Sequence, residues 1–139
     1  MKIEIIFFFA AILIVGAFLL IIIEISKKQT KKIDIEKYRV KWLEIQNQIN
    51  RDNNQANALA ILNADKLLDH CLKDLGYSGL TMAERLKGVN RKLSDKPEVW
   101  RAHKLRNQVA HEIDMQISYD QARWAIKVYK KALKELGAI

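Results

Sequence analysis

One cysteine, one proline and five glycines in 139 residues exclude several fold classes at once. A lone cysteine, Cys71, leaves no disulfide framework within the chain. The three histidines, His70, His103 and His111, complete no zinc-ligand spacing with it. With so little proline and glycine, and no extended apolar–polar alternation, a turn-rich β architecture is disfavoured. Acidic side chains are in the minority, 16 against 24 basic, for a formal net charge of +8. Residues 5–23 contain no charge at all; this run of 19 is apolar throughout apart from Gly16.

That run defines the first part of the chain. At about 1.5 Å per residue, 19 helical residues cover the roughly 30 Å of a bilayer's hydrocarbon core. A cleaved signal peptide would have a shorter apolar stretch, of about 7–15 residues, followed by a small-x-small cleavage site. Here the run is longer and leads into Glu24, Ile25, Ser26, Lys27 and Lys28. The expectation is a retained single-pass anchor. Lys27, Lys28, Lys31 and Lys32 lie beyond the run, whereas only Lys2 precedes it, so the positive-inside rule places the remainder of the chain in the cytoplasm at the cell membrane. The same lysines suit anionic lipid headgroups.

The remainder reads as a basic, all-helical domain. Only one of the 24 basic side chains and two of the 16 acidic ones lie in residues 1–25, so residues 26–139 carry +9. This excess favours polyanions, either nucleic acid or an anionic membrane surface, without choosing between them. Apolar spacing predicts helices over about 33–51, 56–75, 81–93, 97–113 and 118–136, with a polar break at 51–55. In the second, Ala60, Ile61, Ala64, Leu67, Leu68, Cys71 and Leu75 share one face, and Gly76 stops it. Cys71 on that face reads as a small buried hydrophobe. Thr81 with Glu84 and Ser118 with Gln121 form capping-box patterns, and Ser94 or Asp95 caps a helix with Pro97 in its first turn. The last helix carries Tyr119, Ala122, Ile126, Tyr129, Leu133 and Leu136 on one stripe. The predicted architecture is all-α: an anchor with its basic flank over 1–29, then an up-and-down bundle of four to five helices over 30–139.

The helix after Pro97 carries the chemistry. On a wheel, Ala102, Leu105, Val109 and Ile113 share the expected core side. Trp100, His103, Asn107 and His111 share another side, which reads as a binding or dimer face. Arg106 sits at the edge of the core side. The plainer interpretation of this face is structural, with His103 and Asn107 hydrogen-bonding neighbouring helices and Trp100 packing; for His103 a hydrogen-bonding role is preferred over a catalytic one.

Arg106-Asn107-Gln108-Val109-Ala110-His111 resembles the Arg-polar-x-x-x-His motif of the HEPN superfamily. Its place, late in a helical bundle and before a final Tyr/Ala/Leu-rich helix, is similar as well. The resemblance covers about 56–137. It implies a homodimeric, metal-independent endoribonuclease acting in stress or defence, with Arg106, Asn107 and His111 as catalytic residues facing their copies across a cleft and with no metal or cofactor. The chemistry is self-consistent. RNA supplies its own nucleophile, a neutral imidazole can take the 2′-hydroxyl proton, and a guanidinium can neutralise charge building on the phosphorane. HEPN toxins that act with a nucleotidyltransferase often carry Tyr two residues after the His; here Ile113 stands there, so that pairing is not implied. Some HEPN-like domains are non-catalytic, which leaves a second reading: a membrane-tethered helical interaction or RNA-binding module.

Overall fold

In the computed structural model, residues 2–26, 33–89, 91–112 and 114–139 are described. The lysine flank at 27, 28, 31 and 32 and the core position assigned to Ile113 lie outside them. Among the described residues there are six helices and no strand.

The chain divides into two compact units, 1–30 and 31–139. The first is one helix, α1 (Lys2–Ser26). Its span Ile3–Ile22 is 20 residues, long and apolar enough to cross a membrane. Phe7, Ile12 and Leu13 project at different angles around the axis and all are exposed. A helix apolar on every side has no preferred core-facing edge and suits a surrounding apolar solvent.

The second unit holds α2 (Ile35–Asn47), α3 (Asn54–Asp74), α4 (Met82–Gly88), α5 (Lys96–His111) and α6 (Tyr119–Glu135). Each start has a side-chain cap. Asp34, Asn53, Thr81, Asp95 and Ser118 accept from backbone N–H groups of the first turns, satisfying donors that have no intrahelical partner. Between Ser94 and Asp95, the cap of α5 is Asp95. Ser118 and Gln121 close a reciprocal capping box. Thr81 makes its half of the other one, but the Glu84 carboxylate accepts from Leu80 N at 2.7 Å, one residue before the cap.

Three helix boundaries differ from those the sequence predicts. α2 ends at Asn47 rather than near 51. The polar break at 51–55 is partly helical, because Asn53 caps α3 and brings its start forward to Asn54. The turn before it is held by Asn50 and Asn57, whose side chains accept from Asp52 N and Asn50 N. The third predicted helix stops at Gly88 rather than near 93. Val89 turns to extended backbone and is fully buried, so a core contact replaces further helix.

Side-chain ties fix the directions. Tyr38 near the start of α2 reaches Asp74 at the end of α3, while Gln48 just after α2 meets Asn63, so α2 and α3 are antiparallel. Asn57 and Asp65 of α3 reach Ile117 O and Tyr129 in that order, so α3 and α6 run parallel. Ser94 meets Glu135 and Glu98 meets Trp124, so α5 is antiparallel to α6. The result is an up-and-down bundle of α2, α3, α5 and α6, with short α4 set against α3. Its core is centred on α3. Ala60 and Ala64 on α3 and Ala122, Ala125 and Ala132 on α6 are buried, and these small side chains suit a close approach of the two backbones. Ile61, Leu68, Leu72 and Leu133 fill the remaining interior. Arg85 on α4 is buried too. Its guanidinium meets both carboxylate oxygens of Asp69, at 2.6 and 3.0 Å, and donates to Gly79 O.

Candidate functional site

One acidic residue interrupts the apolar stripe of α3. Asp65 sits between Ile61 and Leu68, all three buried. A carboxylate there is tolerable only if partners replace its lost water. It finds three. His103 Nδ1 on α5 lies 2.7 Å from Oδ1, and the Tyr129 hydroxyl on α6 donates to the same oxygen at 3.0 Å. Arg106 Nε lies 3.3 Å from Oδ2. The Arg106 pair is ionic rather than a well-aimed hydrogen bond, since that N–H makes none. Burial, together with the neighbouring Asp65 charge, raises the Tyr129 phenol well above its ordinary value, so it stays protonated and donates.

This network explains how α5 is turned. Val99, Ala102 and His103 are its buried residues, whereas Leu105 and Val109, expected in the core with Ala102, are half-buried. The need to satisfy Asp65 draws His103 and Arg106 towards α3 and rotates the helix away from the purely apolar orientation. The face read from sequence as Trp100, His103, Asn107 and His111 is therefore divided. His103 points inward. Trp100 is half-buried and packs edge-on against the His103 ring, with centroids 6.1 Å apart. Asn107 is half-buried, and His111, the last residue of α5, is exposed.

The motif residues thus stand on an accessible part of the surface. The Arg106 side chain is about one-third exposed. Its Nη1 donates to Asn107 Oδ1 at 3.0 Å, so the guanidinium is held between Asp65 on the inside and Asn107 beside it. Asn107 and His111 are i, i+4 neighbours on the helix surface. Next to Asn107 an open groove of about 500 Å³ runs between α5 and α6, past Arg101, Lys104 and Trp124.

Cys71 is fully buried and its thiol is pushed up to about 12, chiefly by burial, which leaves an inert packing group. Among the described residues, no three His, Cys, Asp or Glu side chains gather as a metal site would require.

No protein-family model, curated protein or solved structure matches this chain. Periodicity alone does not single out Asp65, nor the Tyr129 hydroxyl as more than part of an apolar stripe. The available signal is an ionisable residue at an i, i+4, i+7 position between Ile61 and Leu68, where only an apolar side chain packs without polar partners.

Proposed function

We propose that this protein is a membrane-anchored, HEPN-like endoribonuclease that works as a homodimer, with its helical domain in the cytoplasm. One observation carries the reading: Arg106, Asn107 and His111 all reach solvent near one end of α5, and the guanidinium is braced by Asp65 and Asn107 instead of being free to swing. Pre-positioned charge of this kind favours a transition state over a ground state, because the reorganisation cost is met during folding.

In the proposed reaction, an imidazole removes the RNA 2′-hydroxyl proton and the 2′-oxygen attacks the adjacent phosphorus. The bond from phosphorus to the 5′-oxygen breaks, and an imidazolium returns a proton to that oxygen. The products carry a 2′,3′-cyclic phosphate and a 5′-hydroxyl. A single copy presents one Arg106 and one exposed His111, so acid and base together call for two copies. Lys27, Lys28, Lys31 and Lys32, beyond the apolar span, support a cytoplasmic domain.

The Asp65–Arg106 ion pair favours one alternative, a non-catalytic module in which Arg106 is structural. Full-length protein in detergent micelles, incubated with end-labelled RNA in excess chelator, separates the two readings. The enzyme reading expects cleavage ending in cyclic phosphate and its loss in His111→Ala with helicity unchanged. Cleavage by neither protein, or equally by both, favours the module.

A further inference from the structure

Arg101, Lys104, Gln108 and His111 are all exposed and recur at i, i+3, i+7 and i+10 on α5. This spacing puts them on one ridge about 15 Å long, with His111 at its end. The ridge borders the α5–α6 groove, whose lining includes Trp124 and Gln121 but no carboxylate. At the far end from His111, the Arg101 guanidinium lies over the Trp124 ring, 4.5 Å from its centroid. Glu98 fixes the pair from beneath, accepting from Trp124 Nε1 at 2.9 Å and from Arg101 Nη1 at 3.3 Å. A cation thus lies over an anchored indole, with most of the Arg101 side chain still exposed.

We infer that this ridge is a track for single-stranded RNA, in which a base stacks on the Arg101–Trp124 layer and the strand runs past Lys104 towards His111. The inference rests on the ribonuclease reading and supplies its substrate class. Unpaired bases can stack on a guanidinium–indole pair, whereas bases stacked within a duplex cannot leave it without cost. Lys104 meets the backbone one turn along, and the amides of Gln108 and Asn107 are placed for sugar or base edges. A phosphodiester two to three nucleotides beyond the stacked base then lies beside His111.

The test uses the full chain carrying His111→Ala, so that cleavage does not consume the probe, in neutral detergent micelles. Fluorescence anisotropy follows a labelled single-stranded RNA decamer across a salt series. Trp124→Ala is expected to weaken binding roughly 5- to 150-fold, the range for one lost stacking contact, and Trp124→Phe to weaken it less. Arg101 and Lys104 are exposed, so their double alanine variant keeps the fold. It should lower the slope of log affinity against log salt by about 0.7, equivalent to the one phosphate met by Lys104. Equal binding by these variants and their parent overturns the track, as does duplex RNA bound as tightly as the single strand, or no RNA bound at all. Cleavage assays on chains with intact His111 tell the two proposals apart. Cleavage unaffected by the Trp124 and Arg101/Lys104 changes refutes the track alone. Trp124-dependent binding without cleavage refutes the ribonuclease reading alone.

Discussion

Replacing Asp65 with alanine should be among the most damaging single changes in the bundle. Asp65 is buried and serves three partners: His103 at 2.7 Å, the Tyr129 hydroxyl at 3.0 Å and Arg106 at 3.3 Å. Alanine would leave a buried phenol and a buried imidazole N–H without acceptors, at about 1–3 kcal/mol for each orphaned group. It would also leave the Arg106 charge half-buried and uncompensated; breaking a buried pair from one side costs about 3–5 kcal/mol. These terms overlap, because the partners share one carboxylate, so the expected loss is about 3–5 kcal/mol rather than their sum. A small domain has about 5–15 kcal/mol in total. The melting temperature should therefore fall by well over 10 °C for a unit of this size. Tryptophan fluorescence is the suitable probe, since Trp42, Trp100 and Trp124 all lie in the bundle and none in α1. Tyr129→Phe alone should cost about 1 kcal/mol, and in the Asp65→Ala background almost nothing, because the hydroxyl has already lost its acceptor. A loss below about 1 kcal/mol for Asp65→Ala, or additive effects of the two changes, would refute the network.

Other consequences arise from individual contacts. Gly79 has φ +152°, and a Cβ there would come within 2.7 Å of Glu84 Cβ and 2.8 Å of Arg85 N, so Gly79→Ala should cost about 2 kcal/mol or more in denaturant unfolding. Burial raises the Cys71 thiol from its ordinary 9.0 to about 12. The unfolded chain ionises first, so stability should be complete below pH 9 and fall between pH 9 and 12, by about 1.4 kcal/mol per pH unit from this group. Cys71→Ala should remove that part of the alkaline slope in pH-dependent denaturation. The Glu135 carboxyl is held below its usual 4.5 by the hydrogen bond from Ser94. Its contribution is present above the unfolded value and disappears as pH falls through the folded one, so Ser94→Ala should flatten the acid limb of the same curve. In α1, Leu13→Arg puts a charge near the middle of the span at about 3 kcal/mol, and should shift the protein towards the soluble fraction on alkaline extraction of membranes.

Periodicity made most of the bundle legible. The α3 and α6 stripes are buried almost as read, with Leu75 and Tyr119 only half-buried at their ends, because apolar spacing and capping residues act locally. The rotation of α5 was not legible. Its wheel favours Leu105 and Val109 as core, but a carboxylate 38 residues before His103 outweighs them by demanding hydrogen-bond donors. That demand is a tertiary effect, visible in sequence only as an acid misplaced on an apolar stripe. The early stop of α4 has a similar origin, in the burial of Val89. The motif residues were legible as a linear pattern; that Arg106 is braced while His111 is free at the helix end depends on the packing of α5 on α3.

The most direct measurement is disulfide cross-linking of Ala110→Cys in native membranes, with Glu36→Cys as the control. Ala110 is exposed within the motif and Glu36 is exposed on α2, while native Cys71 is buried. If two copies face each other through the end of α5, the Ala110→Cys chain should be trapped as a dimer rapidly and in high yield, with RNA slowing the reaction and the control forming little. Cross-linking no faster at 110 than at 36, and indifferent to RNA, would contradict the shared site.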